Sequence, residues 1–190
     1  MPAGIPPGMR KLRPHLCVAT ATLAVATFVP AVWAGAPNAQ PAALRGVSSL
    51  EGDLMATLNT FRGARGLRPF RSSARLHAAA VRHSSEMARY GYFDHVSPNG
   101  AAFWRRIAVY YRSGGYRRWS VGENLEYGQP GLVALEVLRD WLASPAHRAN
   151  VLSTRFRDAG IGVVSVPSGP GVFGGVPTTI VTLDVGVRRR

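Results

Sequence analysis

Trp119-Ser120-Val121-Gly122-Glu123-Asn124-Leu125-Glu126-Tyr127-Gly128 sets a carboxylate directly after a glycine and directly before an amide. Val121 and Leu125, on either side, press Glu123 toward a packed interior. A buried carboxylate is costly unless something pairs with it. Gly122-Glu123-Asn124 itself is expected to form a short bend. Two histidines stand in similarly marked surroundings: His95 in Tyr92-Phe93-Asp94-His95-Val96-Ser97-Pro98, and His147 in Ser144-Pro145-Ala146-His147-Arg148-Ala149-Asn150. Glu123, His95 and His147 are therefore expected to line one cleft, with the rest of the chain as scaffold.

Upstream of this stretch the pattern is helical. Ser48 and Glu51 fit a capping box, and Leu50, Leu54, Leu58 and Phe61 recur at helical spacing. Leu67-Arg68-Pro69-Phe70 is an extended connector, because the residue before a proline avoids the helical region. A second helix is predicted from Ser72 or Ser73 to Tyr90, stopped by Gly91. Leu76, Ala80, His83, Met87 and Tyr90 share one of its faces, with His83 a core histidine. Arg75, Arg82 and Arg89 form a solvated stripe, and His77 is assigned to the surface. Ser97-Pro98-Asn99-Gly100 is turn chemistry, which places His95 on a loop. A third helix is expected over 101–112, from which Arg105 or Arg106 could reach back to that loop.

Downstream, a fourth helix is expected from about Pro130, with Leu132, Leu135, Leu138 and Leu142 on a stripe widened by Val137 and Trp141. Ser144 as N-cap and Pro145 at the first position start a short helix that carries His147. Residues 160–166 and 178–187 are β-branched runs and are predicted as strands. The Gly- and Pro-rich segment 168–177 joins them as a hairpin connection. Arg188-Arg189-Arg190 is expected to be a frayed basic tail.

The 190 residues are enough for one domain with a real core, and the formal charge is +13. Only Lys11 of the 23 basic residues is lysine. So uniform an arginine bias is no argument for specific nucleic-acid binding. Met9-Arg10-Lys11-Leu12-Arg13, the apolar run 16–29 and Val32-Trp33-Ala34 match a secretory signal cleaved after Ala34. The domain organisation expected is a signal peptide over 1–34, a flexible linker over 35–47 and a single domain over 48–190. That makes the chain secreted or periplasmic, with no transmembrane span after processing. Cys17, the sole cysteine, falls within the signal, so the mature chain has neither disulfide nor thiol. A strongly basic exported protein is drawn to anionic envelope polymers or lipid surfaces.

Five pieces in order carry a family resemblance. They are Leu58-Asn59 with Arg62 and Gly66-Leu67; Met87, Gly91-Tyr92-Phe93, His95 and Ser97-Pro98-Asn99-Gly100; Gly122-Glu123-Asn124; Trp141, Ser144-Pro145 and His147-Arg148-Ala149-Asn150; and Gly160-Ile161-Gly162. Over about residues 50–187 the chain resembles a bacterial CAP domain, also called the SCP domain. The resemblance implies an α+β fold: a three-layer α-β-α sandwich with a small, mostly antiparallel sheet. It further implies a central cleft of two histidines and two acids, three of which correspond to His95, Glu123 and His147. Counting from Trp141, the second acidic position is occupied by Ser144, a departure from the family pattern. Asp140 and Glu126 are the nearest carboxylates in sequence.

Two imidazoles and a carboxylate are a zinc ligand set with a fourth position open to water. Their separations, 28 and then 24 residues, carry no local ligand signature, and a hydrogen-bonded structural cluster is the other account of the trio. Zinc or another divalent cation at His95, Glu123 and His147 is the cofactor these residues suggest. The resemblance implies a non-enzymatic binding module for a lipid, a sterol or an anionic cell-envelope component. The alternative is a metal-dependent hydrolase acting on peptide or cell-wall substrates. Covalent serine or cysteine catalysis is disfavoured, since no serine stands in a nucleophile elbow and no thiol remains.

Overall fold

The computed structural model describes residues 42–190, with side chains described from residue 49. The expected signal over 1–34 and the linker up to residue 41 lie outside the described residues. Among the described residues, five helices surround a four-stranded sheet. In chain order they are α1 (Ala42–Gly63), β1 (Arg71–Ser72), α2 (Ala74–Tyr90), α3 (Phe103–Tyr110), β2 (Arg118–Gly128), α4 (Ala134–Ala143), α5 (Pro145–Val151), β3 (Asp158–Val166) and β4 (Thr178–Arg189). The sheet order is β1-β3-β4-β2, antiparallel except for the short parallel pair of β1 with β3.

The strand pleat sends alternate residues to opposite faces. Ala159, Ile161 and Val163 of β3 and Val181, Leu183, Val185 and Val187 of β4 pack on one face. There they meet Leu50, Leu54 and Leu58 of α1 and Val137, Leu138 and Trp141 of α4. The other face carries α2 and α3. Its β3 positions are Gly160 and Gly162, and a Cβ at either would strike the α2 backbone at His77 and Val81. Ser84 Oγ donates to Gly162 O at 2.8 Å across this contact. The α-β-α sandwich is thus set by large side chains on one face and by absent side chains on the other.

The second helix is capped as expected: Ser73 Oγ accepts from Leu76 N, and Gly91 ends it with φ 69°. Several other expectations are corrected. Helix α1 begins at Ala42, not Ser48, so residues 42–47 are helix rather than linker; Ala42-Ala43-Leu44-Arg45 are all strong helix formers. Glu51 closes no cap, because its Oε1 accepts from Val163 N of β3 at 2.9 Å. Helix α3 is shorter than predicted, Phe103–Tyr110. Helix α4 starts at Ala134, since Val133 is extended (φ −118°, ψ 150°). That phase leaves Leu135 exposed and buries Ala134 instead. Tyr90 is likewise exposed at the end of α2. His77 does lie at the surface as expected, with its Nδ1 2.6 Å from Ile161 O. Gly122-Glu123-Asn124 is no bend but the middle of β2. Arg188 and Arg189 do not fray: they pair with Trp119 and Arg118, and the Arg188 guanidinium lies 3.9 Å over the Tyr111 ring.

The glycine contact gives a direct test of the layering. Gly162→Ala has to push β3 from α2 and should cost about 3 kcal/mol, measured by urea denaturation. A loss below about 0.5 kcal/mol would mean that the close approach does not set the packing.

Candidate functional site

Strand β2 is an edge strand, and Gly122-Glu123-Asn124 uses both of its faces. Glu123 lies in register with Asp184 of β4 and faces α2 and α3. Its side chain is fully buried. Oε2 accepts from the Arg106 guanidinium of α3, and Oε1 accepts from His95 Nδ1 at 2.8 Å. A carboxylate partner fixes the His95 tautomer with the proton on Nδ1, which leaves Nε2 as the lone-pair nitrogen. Arg106 also donates to Ser97 Oγ at 2.9 Å and approaches His95 O at 3.4 Å. One guanidinium therefore holds the buried acid and the loop that carries the histidine.

Asn124 points to the opposite face and donates to His147 O of α5 at 3.1 Å. Asn150, one turn further along α5, donates to Glu123 O at 3.1 Å and to Asn124 Oδ1 at 2.8 Å. Gly122 leaves room for that amide, since a Cβ there would sit 2.5 Å from Asn150 Oδ1. Helix α5 is thereby clamped against the edge strand. His147 then meets His95 edge to face, with ring centroids 6.1 Å apart. His95 keeps 44 % of its side chain exposed, and His147 is half-buried. Burial, helped by the charge of His95, lowers the His147 pKa below the usual 6.5.

His95 and Glu123 are thus in contact, and His147 joins His95 but shows no bond to Glu123. Ser144 forms the half-buried joint between α4 and α5, and its hydroxyl caps neither. Asp140 is exposed and pairs with Arg139. Glu126 has its pKa raised by burial first, with the nearby Asp140 charge adding to the effect.

Three functional neighbours escaped sequence reasoning or were only half seen. Arg106 is the guanidinium that reaches the loop, where Arg105 was an equal choice. His83, expected in the core, is fully buried beneath the site. Its Nε2 donates to Asp94 O at 2.9 Å and lies 3.9 Å from Glu123. Burial lowers its pKa despite the opposing pull of Glu123. Asp184 was read only as part of a strand. It is wholly buried, neither oxygen has a hydrogen-bond donor, and burial together with the Glu123 charge drives its pKa well above 3.8. The signal for it was an acid in the run Ile180-Val181-Thr182-Leu183-Asp184-Val185, where a solvated strand face would alternate.

The metal expectation can be tested on this donor set. Both oxygens of Glu123 are engaged, one of them by a cation. Among the described residues no group of three His, Cys, Asp or Glu side chains is placed to hold a metal ion. The three-ligand set does not fit. The two facing imidazoles alone could serve as ligands.

The sequence matches the cysteine-rich secretory protein family, CAP, over residues 55–183. The fold is that of an SCP domain, and the chain belongs to the bacterial CAP family. It is 32% identical over 130 residues to the uncharacterized protein YkwD of Bacillus subtilis; the match takes in 67% of this chain and 47% of that protein. The chain thus spans about half the length of that relative. An extracellular SCP-domain protein of Bacillus anthracis superposes with a TM-score of 0.60 at 20% identity, over 82% of this chain and 45% of that one. An outer surface protein of Borrelia burgdorferi gives 0.57 at 19% identity, over 72% and 90%. No described helix is long and apolar enough to cross a membrane.

Two outcomes check the electrostatics. Arg106→Leu strands a buried carboxylate and should cost about 3–5 kcal/mol in urea denaturation; a loss under about 1 kcal/mol would demote the pair to a surface contact. Asp184 holds its proton more tightly folded than unfolded. Its contribution is fully present below the unfolded pKa of about 3.9 and declines as pH rises above it. Asp184→Asn, which mimics the neutral acid, should therefore gain on the wild type progressively from about pH 4 to pH 7. A stability gap that stays constant across that range would contradict the assignment.

Proposed function

We propose that the protein is an extracellular binding module that holds a ligand at the His95–His147 cleft without turning it over. The observation that carries this is the state of Glu123. A carboxylate that serves a hydrolytic site as general base needs an oxygen free to take a proton from water or a nucleophile. Here the acid is fully buried and both its oxygens are engaged, by Arg106 and His95. Its role is to orient His95. The ligand classes are those of the family resemblance, a lipid, a sterol or an envelope component. The extracellular and outer-surface descriptions of the structural neighbours support the extracellular location.

The facing imidazoles favour a second reading, a weak divalent site made by His95 Nε2 and His147. Bound zinc would supply a Lewis acid there, with Glu123 as the group behind His95 rather than a ligand. Titration calorimetry with zinc separates the roles. His147→Ala should abolish binding, whereas Glu123→Gln should weaken it by about tenfold, the usual effect of an orienting partner. In parallel, the zinc-loaded protein is incubated with peptide and muropeptide panels, and a fluorescent sterol and a fluorescent fatty acid are titrated with and without chelator. Chelator-insensitive lipid binding without turnover is expected. Zinc-dependent turnover lost in His147→Ala would replace the module by the metal-dependent hydrolase.

A further inference from the structure

The sheet end where β2 and β3 begin and β4 finishes is built almost entirely of arginine. A groove of about 450 Å³ there is lined by Arg68, Arg71, Arg157, Arg188 and Arg189, with Pro69 and Val187 as its apolar floor. A second groove of about 370 Å³ shares Arg188 and adds Arg75 and Arg112. Among the described residues only Arg71 of these seven has a carboxylate partner: its Nε and Nη2 donate to Asp158 Oδ1 at 3.0 and 2.7 Å. The other oxygen of Asp158 accepts from Tyr111 Oη at 2.6 Å, so that single acid is fully engaged. Neutral groups steady two more of the cations. Arg157 donates to Thr154 O at 2.7 Å. Arg188 lies over Tyr111 at 3.9 Å and beside Tyr116 at 4.9 Å, on the divide between the grooves.

Clustered like charges cost stability, and guanidinium forks match phosphate oxygens in pairs. The geometry points to a linear, phosphodiester-linked polyanion of the cell exterior, which we propose runs from one groove to the other across Arg188. A membrane surface fits less well. The grooves are concave, and none of the exposed large apolar side chains lines either of them, so no wedge is present to enter a bilayer. Nucleic acid fits less well too, because single strands bind by stacking successive bases on aromatic faces: Arg188 already lies over Tyr111 and Tyr116, which leaves Tyr110 of the second groove as a single platform. The proposal rests on the extracellular-module reading but uses a surface separate from the histidine cleft.

The test uses the full chain and fluorescently labelled, deacylated poly(glycerol phosphate), followed by anisotropy. Affinity should fall by about tenfold or more between about 50 and 200 mM salt. Arg68→Gln/Arg189→Gln removes two exposed, unpaired cations and should weaken binding by about tenfold, with circular dichroism and Tm confirming the fold. Arg139→Gln, elsewhere on the surface, should change it less than about twofold, and His147→Ala should leave it unchanged even if the cleft binds nothing. Absence of binding, or equal losses in the double variant and Arg139→Gln, would overturn the proposal. So would tighter binding to oligothymidylate of equal charge, or capture by phosphatidylglycerol vesicles without binding of the soluble polymer.

Discussion

A carboxyl group that folding removes from water must either meet a positive group or keep its proton, and the way Glu123 is met organises this molecule. Its buried side chain draws Arg106 from α3 and His95 from the α2–α3 loop to one face of β2. On the other face the neighbouring Asn124 and the Glu123 carbonyl take hold of α5. One tripeptide thereby brackets the edge strand from both layers of the sandwich. An edge strand is ordinarily a liability; here its free backbone is used to position a helix. A buried ion pair adds little net stability, but losing one partner is costly. The pair acts by excluding other arrangements of the loop and of α5.

How much of this was legible follows from the range of each interaction. The helix cap at Ser73, the stop at Gly91 and the two long strands are local, and composition and period announce them. The meeting of Glu123 with His95 was legible because a carboxylate between Val121 and Leu125 demands a partner, and the loop chemistry around His95 offered one. Local signals misled where tertiary contacts decide. Glycine before Glu123 suggested a bend, yet its missing side chain makes room for Asn150. Ser48 and Glu51 had the spacing of a cap, yet Glu51 reaches β3. A basic terminus suggested fraying, yet Arg188 is stacked on Tyr111. Asp184 was hidden for the same reason, since its proximity to Glu123 exists only through strand pairing.

The cleft at mid-strand and the arginine end of the sheet handle charge in opposite ways. At the cleft each charged group is buried, paired and few in number, and only the histidines meet solvent. At the arginine end the cations are many, and one carboxylate answers them. Burial explains the difference. An unpaired charge is tolerable where water solvates it and intolerable where it does not, so the interior selects matched groups and the exposed end can accumulate unmatched ones. The first arrangement gives a rigid, specific hollow; the second gives a broad field that attracts anions over a distance set by salt.

Charge balance also decides what the cleft can hold. Arg106 supplies one positive charge beneath the sheet face and Glu123 one negative charge. Asp184, beside them and without a donor, is pushed toward the neutral acid, because a second carboxylate would leave the pocket with an uncompensated negative charge in a low-dielectric setting. A divalent ion at Glu123 would have to displace Arg106 or sit against its guanidinium. The imidazoles avoid this conflict. They lie further out, where water screens an arriving charge, and His95 Nε2 is kept available by the very bond that ties up Nδ1. Once Arg106 is matched by Glu123, the outer cleft needs no further negative charge, and its chemistry passes to the two imidazoles.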